Sequence, residues 1–190
     1  SDVYKRQVYG TPAEESIGGK IVMQKNGCFE ELDVALMFHA GQTTTTDIKS
    51  LALSSFKVRF HGRSAHAAMA PEEGRSALDG LMLAFQGVEY MREHVREDTR
   101  MHYTITNGGG ADNVVPALAE GTVTLRSYNR AYLDTVVERL RDIIAGAGLM
   151  SGTQGELVED LPFDSKIPVL RLNQLLMEKA QALNCLLYTS

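Results

Sequence analysis

Several features that mark whole classes of protein are scarce in this sequence. Among its 190 residues there is no tryptophan, and the two cysteines, Cys28 and Cys185, lie far apart. Two distant cysteines do not make a disulfide framework, so a reducing cytoplasm is the expected location. The net charge of −5, without a basic cluster, argues against a nucleic-acid partner. No apolar run is long enough to cross a bilayer and SDVYKRQV lacks an apolar leader, so no membrane partner is expected.

The composition of the sequence is typical of a globular protein. Hydrophobic residues make up 44% and charged residues 23%, which is enough to bury a core. Between residues 54 and 160, some segments alternate apolar and polar residues, as strands do, and others repeat apolar residues at the helical period. Along the chain these segments occur in the order β-α-β-β-α-β. The predicted strands cover about 56–60, 101–105, 121–128 and 156–160, and the predicted helices about 74–94 and 133–147. This order predicts a ferredoxin-like domain, with two helices on one face of an antiparallel four-stranded sheet.

The flanking segments predict part of a second, α/β domain. The run VALMF (34–38) is continuously apolar, which is typical of a strand covered on both faces in a parallel sheet. Helices are predicted over about 16–26 and 168–183. We therefore predict an α/β protein in which a partial, mostly parallel domain carries the ferredoxin-like domain as an insertion. The predicted boundaries are 8–49 for the partial domain, 50–162 for the insertion and 163–184 for the return.

The stretch GTPAEE (10–15) places two carboxylates side by side before a glycine-rich turn. Glu14 and Glu15 in a first helical turn would interact favourably with the helix dipole, and that alone explains them. Alternatively, one carboxylate binds a metal ion while its neighbour acts as general base on the metal's water. His39 ends the next predicted strand and supplies a second ligand type. A catalytic zinc site normally has three protein ligands, so this local pattern is incomplete.

Three further residues have both an ordinary and a functional explanation. His66 lies among small residues in HGRSAHAAMAP (61–71), where it is either an exposed loop histidine or a projecting catalytic one. Asn113, in GGGADNVVP (108–116), is either a turn residue or a substrate contact. Arg126, on the polar side of a predicted strand, is either solvated or binds a carboxylate in bidentate fashion.

In combination these motifs resemble one family. GTPAEE, FHA, HGRSAHAAMAPEEGRSALDG, YTITNGGGADNVVP and VTLRSYNR occur in the order found in the zinc-dependent aminoacylase/carboxypeptidase-type amidohydrolases, which are metallopeptidases. They are most similar to the branch that contains the p-aminobenzoyl-glutamate hydrolase B subunit and related dipeptidases. The resemblance extends from about Val8 to Leu183. It implies a phosphorylase/hydrolase-like catalytic domain with an inserted lid and dimerisation domain.

The resemblance also implies a role for each candidate residue of the partial domain. Glu14 matches the general base, and Glu15 and His39 match ligands of a site with two divalent metal ions per full-length subunit. Zinc is the expected metal, although manganese accepts the same ligands. Because only two of the family's five ligands can be placed, the ligand set in this chain is incomplete.

In the lid, the resemblance implies roles for three residues and a homodimer. His66 matches a histidine that reaches the partner subunit's site and polarises the scissile carbonyl. Asn113 and Arg126 match substrate-holding positions, with Arg126 on the substrate carboxylate. The implied reaction is hydrolysis of an amide next to an amino-acid carboxylate, in an N-acyl or N-aroyl amino acid such as p-aminobenzoyl-glutamate, or in a dipeptide.

Two hypotheses about the whole chain follow. In the family, the last metal ligand is a histidine near the C-terminus, but no histidine follows His102 in this sequence. The chain is therefore expected to be an internal fragment without activity of its own. Its ends, 1–7 and 185–190, are expected to be foreign to the family. The first hypothesis is the central part of an amidohydrolase. The alternative is a non-catalytic lid and dimerisation module that lacks a complete metal site.

Overall fold

A computed structural model describes residues 6–41, 44–46, 48–160 and 162–183. The chain divides into two compact units, of which the first ends at Thr44 and the second begins at Thr45. The ends expected to be foreign, 1–7 and 185–190, fall mainly outside the described residues.

The first unit contains two short helices, α1 (Glu14–Ile17) and α2 (Gly19–Lys25). They occupy the place of the single helix predicted over 16–26. Gly18 separates them because its backbone, at φ 63°, lies in the left-handed region that interrupts a right-handed helix.

The strand predicted for VALMF (34–38) is not formed. These residues are irregular, and their large side chains are exposed, Phe38 by 93%. A buried parallel strand needs neighbours to pair with, and the described residues 6–41 contain no other strand. The prediction of a strand here is therefore wrong, and the described residues contain no parallel sheet.

The second unit is built on a four-stranded antiparallel sheet in the order β2-β3-β1-β4. Its strands are β1 (Ala52–His61), β2 (Arg100–Asn107), β3 (Leu118–Ser127) and β4 (Gln154–Glu159). Every second residue of β1, from Ala52 to Phe60, is buried on one face of the sheet. The opposite face carries polar side chains such as Lys57 and Arg59, and we call it the outer face.

Two long helices, α3 (Ala77–Arg92) and α4 (Arg130–Ser151), cover the buried face, and α5 (Leu170–Ala182) follows the sheet. α3 and α4 start where polar side chains cap them: Ser76 Oγ accepts the Asp79 N–H at 3.1 Å, and Asn129 Oδ1 accepts the Tyr132 N–H at 2.8 Å. The observed order β-α-β-β-α-β is the one predicted from periodicity. In the described part of the chain, every helix is too short or too polar to cross a bilayer.

The core of the second unit is centred on Phe60, which is fully buried. A Cβ placed on Gly80 of α3 would lie 2.5 Å from Phe60 Cδ1, and one placed on Gly155 of β4 would lie 3.0 Å from Phe60 Cε1. The ring therefore fills the space that these two glycines leave. Glycine weakens both helices and strands, and this close packing is the reason for it at these positions.

The sheet has two ends with different surroundings. At the entry end, the chain comes in at Ala52, and Leu53 forms a bridge with Phe163 through two backbone hydrogen bonds of 2.8 and 2.9 Å. The chain thus enters and leaves the sheet at this end. At the loop end, His61 of β1 lies opposite Leu118 of β3, and the loops that follow β1 and precede β3 project there.

A carboxylate on α3 makes the stability of this unit depend on pH. Arg92 donates two hydrogen bonds to Glu89, at 2.7 and 2.9 Å, which lower the pKa of Glu89 from 4.5 to about 2, with a smaller contribution from the Tyr103 hydroxyl. Because the folded-state pKa is the lower one, the stabilisation is fully present above about pH 4.5 and is lost as the pH falls towards 2. The side chain is 38% exposed, so solvent screening limits the effect to about 1 kcal/mol or less.

We therefore expect Glu89→Gln to remove a small part of the pH dependence of unfolding between pH 4.5 and 2. Urea denaturation at several pH values measures the pH dependence of the free energy of unfolding. Glu93→Gln, at the exposed C-cap of the same helix, is the matched control. An identical pH dependence in both variants would contradict the assignment.

Candidate functional site

His66 lies at the loop end of the sheet with its imidazole held by the backbone. Its Nδ1 accepts hydrogen bonds from the backbone N–H groups of Ala68, at 3.2 Å, and Met69, at 3.3 Å. A nitrogen that accepts two N–H groups carries no proton, so in the neutral ring the proton is on Nε2. The exposed side chain therefore presents an Nε2–H donor to whatever binds at this end of the sheet.

Asn113 lies beside His66, because the two loops are joined by backbone hydrogen bonds. The Ala67 N–H donates to the Asn113 carbonyl and the Val115 N–H donates to the Ala65 carbonyl, both at 2.9 Å. The Asn113 side chain is exposed and makes no hydrogen bond within the described residues. The structure thus places two of the predicted site residues on adjoining loops at the same end of the sheet, with His66 opposite Val114 and Asn113 opposite Ala67.

Arg126 is on the outer face at the other end of the sheet. It is exposed, lies one residue before the end of β3, and pairs with Leu53 of β1 at the entry end. β3 has ten residues, and at about 3.3 Å per residue its ends lie about 30 Å apart. Arg126 and His66 therefore lie at opposite ends of the sheet.

The remaining predicted residues belong to the first unit. Glu14 begins α1 and is exposed, while the side chain of Glu15 lies outside the described residues. His39 is exposed, and its Nδ1–H donates to the Ala40 carbonyl at 2.7 Å. This bond leaves the Nε2 lone pair of His39 free, which is the form of histidine that binds metal ions.

The described residues do not by themselves form a metal site. Three or more His, Cys, Asp or Glu side chains that could hold one ion are not found together anywhere among them. A catalytic zinc ion normally needs three protein ligands. His39 has the right tautomer for one of them, and the other donors are not assembled around it.

The prediction from sequence missed Arg100, which the structure places directly opposite Arg126. The predicted strand begins one residue later, at Met101, so it does not include Arg100. The signal was present in the alternation of β2, because the residue before the buried Met101 points to the outer face.

The hydrogen bonds predict opposite tautomers for two histidines in one molecule. In a long-range proton–nitrogen correlation spectrum above about pH 8, His66 is expected to carry its proton on Nε2 and His39 on Nδ1. His66→Gln and His39→Gln assign the signals. His102, whose ring makes no hydrogen bond within the described residues, is the reference for an unconstrained imidazole. A His66 ring protonated on Nδ1 would contradict the structure.

Comparison with known proteins places the chain among the peptidases. Residues 50–149 match the M20 family model described as the peptidase dimerisation domain. The B subunit of p-aminobenzoyl-glutamate hydrolase from Escherichia coli is 38% identical over 165 residues, which is 84% of this chain and 34% of the relative. The Xaa-Arg dipeptidase of Mus musculus is 34% identical over 145 residues, 76% of this chain and 34% of the relative. The chain thus spans about a third of the length of the curated relatives it matches.

Solved structures agree with this assignment. An aminobenzoyl-glutamate utilization protein from Klebsiella pneumoniae matches with a TM-score of 0.60 and 30% identity, over 69% of this chain and 33% of that one. The named relatives are hydrolases of amide bonds, so a stand-alone dimerisation module is not the favoured interpretation. Because the family model covers more than half of the residues, the chain belongs to the M20 family of peptidases and amidohydrolases.

Proposed function

We propose that the chain is the central part of a metal-dependent amidohydrolase that cleaves an amide next to an amino-acid carboxylate. Residues 8–49 and 163–184 belong to its catalytic domain, and 50–162 form a ferredoxin-like lid inserted into it. The observation that carries the proposal is the sheet of the second unit, which the chain enters and leaves at the same end, as an inserted domain must. The family membership supports hydrolysis as the reaction.

M20 peptidases generally use divalent metal ions such as zinc. We propose a site with two such ions, with zinc as the native metal and with Glu15 and His39 as two of the ligands. When bound, these ions would polarise the substrate carbonyl and acidify a water molecule. Glu14, next to Glu15 in the chain, takes up a proton as general base and delivers it to the leaving amine.

The residues of the lid bind and orient the substrate. Arg126 holds the carboxylate of the amino acid through its guanidinium, which suits bidentate binding. His66 donates its Nε2–H to the oxygen on which negative charge develops, and the two backbone amides on Nδ1 keep that proton in place. Asn113, on the adjoining loop, adds an amide donor or acceptor at the same end of the sheet.

The length of the sheet supports a shared site in a homodimer. Arg126 lies at the entry end and His66 at the loop end of a sheet whose strand β3, at about 3.3 Å per residue, is about 30 Å long. A substrate held by Arg126 of one subunit therefore meets His66 and Asn113 of the other. Each site then draws on both subunits, so neither subunit is complete alone.

The surface for this dimer is proposed at β2, an edge strand of the described sheet. An edge strand presents unpaired backbone groups that a second copy can pair with. Exposed apolar side chains occur on this strand and on the helix that packs against it: Ile105 of β2, by 45%, and Met82 and Tyr90 of α3, by 55% and 70%. Apolar side chains next to an open edge suit a permanent contact better than solvent.

A chimera tests the proposed reaction without relying on the ligand set of this chain. Residues 8–183 replace the matching segment of the Mus musculus Xaa-Arg dipeptidase, which then supplies the rest of the catalytic domain. The chimera is expected to hydrolyse a dipeptide or an N-acyl amino acid, and to fail on the same compound with a terminal carboxamide.

In this chimera, Arg126→Gln is expected to raise KM by about ten-fold or more, because a hydrogen bond to a charged group contributes roughly 1.5–3 kcal/mol. Arg139→Gln on α4, an exposed arginine far from the outer face, removes the same charge as a control. Steady-state kinetics measure both. Equal KM values for the two variants would contradict the role of Arg126.

A further inference from the structure

A polar depression of about 480 Å³ lies at the loop end of the sheet, on the side of β4 and so opposite the β2 edge. It is open to solvent. Its lining comes from the end of β1 with the loop that follows (61–63 and 75), and from the turn between α4 and β4 (152–154). Its volume falls within the range of about 300–1,000 Å³ typical of small-molecule sites. Two exposed arginines in the lining, Arg63 and Arg75, give the depression a positive charge.

The side chains of Arg63 and Arg75 are held by the backbone of their own loop. The two residues exchange backbone hydrogen bonds, from N–H to carbonyl in both directions, at 2.8 Å. Arg63 Nε donates to the Glu73 carbonyl. Arg75 Nη1 donates to the carbonyls of Glu72, at 3.1 Å, and Gly74, at 2.5 Å. Both Nη groups of Arg63, and Nε and Nη2 of Arg75, have no acceptor within the described residues, so each arginine keeps a free pair of donors.

The carboxylates near the depression leave the charges of these two arginines uncompensated. Neither arginine forms an ion pair in the described part of the chain, although Glu72 and Glu73 lie in the same loop. Glu156 of β4 faces other basic groups, since its Oε2 is 3.6 Å from His61 Nε2 and 4.0 Å from Arg59 Nη1. The two guanidinium charges are therefore available to an anion.

Arg75 also contacts the turn on the other side of the depression. Gly152 has φ 66°, and a Cβ placed on it would lie 3.0 Å from Arg75 Cδ and 3.1 Å from Arg75 Nε. The Arg75 side chain therefore packs directly against the backbone of the turn. Gln154, at the start of β4, is exposed, and its side-chain amide makes no hydrogen bond within the described residues. Two guanidinium groups and one amide thus line the same depression with free donors.

We propose that Arg63, Arg75 and Gln154 bind a phosphate group, either as free phosphate or in a small phosphate monoester. Such a group carries a charge of about −1.5 to −2 at pH 7 and three strong acceptor oxygens. Two guanidinium groups match that charge, and together with the amide they supply donors for three oxygens. A carboxylate has two oxygens and a single charge, which one guanidinium group satisfies alone. None of the three residues has a role in the function proposed above.

A phosphate bound here would connect the loop that carries His66 to the turn before β4. Along this loop, the paired backbone of Arg63 and Arg75 continues into the hydrogen bond from the Val115 N–H to the Ala65 carbonyl, next to His66. Local opening that separates Arg63 from Arg75 would release the ligand, so the ligand stabilises the closed loop. At ten times the dissociation constant, hydrogen exchange of these two backbone amides is expected to slow about ten-fold. Unchanged exchange would contradict a ligand that spans the loop and the turn.

Titration of the isotopically labelled full chain with sodium phosphate measures binding, with sodium chloride adjusted to keep the ionic strength constant. The backbone amide signals of 62–63, 75 and 152–154 are expected to shift together and to saturate, which gives one dissociation constant. A parallel titration with glycerol 3-phosphate distinguishes the two sources of the phosphate group. Tighter binding of the ester identifies a phosphate monoester as the ligand, and equal binding identifies free phosphate. Sodium acetate is the carboxylate control and should not saturate these signals.

Substitutions identify the residues that hold the phosphate. Arg63→Gln and Arg75→Gln are each expected to weaken binding about ten-fold or more, because each removes a charge-assisted hydrogen bond. Arg139→Gln on α4 removes the same charge outside the depression and should change the affinity by less than about two-fold, since salt screens distant charges. Because Arg75 also donates to loop carbonyls, Arg75→Lys is a second variant, which keeps the charge and should recover part of the affinity. Amide signals from the core of the sheet serve as the check on folding.

Three results would overturn the phosphate site. The first is a set of shifts that grows with phosphate concentration without saturating. The second is saturation of the same signals by acetate at the concentrations that suffice for phosphate. The third is an affinity for phosphate in Arg63→Gln and Arg75→Gln that equals the affinity of Arg139→Gln.

Discussion

His66→Ala in the chimera is expected to lower kcat by about two to three orders of magnitude, the usual cost of removing one donor to a developing oxyanion. KM should change little, because the negative charge on the carbonyl oxygen forms in the transition state and is small in the bound substrate. The donor is placed in advance: two backbone amides occupy Nδ1 and direct the proton to Nε2. Stopped-time assays at saturating substrate measure the loss.

The matched control is His94→Ala, which removes an exposed imidazole just after α3. It should leave kcat within about two-fold of the parent, as expected for a surface change away from the site. A similar loss of kcat in both variants would mean that the effect does not depend on the position of His66. Full activity in His66→Ala would remove His66 from the proposed mechanism.

Phe60→Ala is expected to destabilise the second unit by about 3–5 kcal/mol, the range for deleting a buried aromatic ring. The ring packs against Gly80 and Gly155, which have no side chains to move into the space. The cavity would therefore stay largely open, which places the cost towards the upper end of the range. With a total stability of about 5–15 kcal/mol for a domain, such a variant is close to unfolding.

Urea denaturation followed by far-ultraviolet circular dichroism measures this change, since the chain has no tryptophan to report on it. Leu149→Ala on α4 is the control, because Leu149 is 86% exposed and its truncation leaves no cavity. Its effect should stay within about 0.5 kcal/mol. Comparable midpoints for the two variants would contradict the packing described around Phe60.

The sheet and its helices could be predicted because their signals are local. In β1 the alternation of apolar and polar residues marks the buried face, and in α3 and α4 the helical period marks the stripe that covers it. The ends of these elements were less predictable. Ser76, two residues after the predicted start at 74, is the actual cap of α3.

The strand predicted at 34–38 shows why an apolar run is a weaker signal. Five apolar residues satisfy the pattern of a buried strand, but a strand exists only if another strand pairs with it. In the described residues 6–41 that partner does not occur, and the run stays irregular. Pairing is a property of distant segments, which a local pattern does not contain.

In the candidate site, too, some features could be predicted from the sequence and others depend on the fold. Residue types and motif order were enough to select His66, Asn113 and Arg126 as candidates. The tautomer of His66 depends on the loop conformation, and the separation of Arg126 from His66 depends on the length and register of the sheet. Arg100 was missed because only the register of β2 against β3 places it beside Arg126.

The central claim is that one active site takes Arg126 and Glu14 from one subunit and His66 from the other. The direct test is a mixed dimer of two inactive chimeras, Glu14→Ala and His66→Ala, isolated through different affinity tags. In a shared site, the subunit that keeps Glu14 receives an intact His66 from its partner, so about half of the parent activity per dimer should return. If each site is built from a single subunit, both sites of the mixed dimer carry a defect, and the dimer would stay inactive.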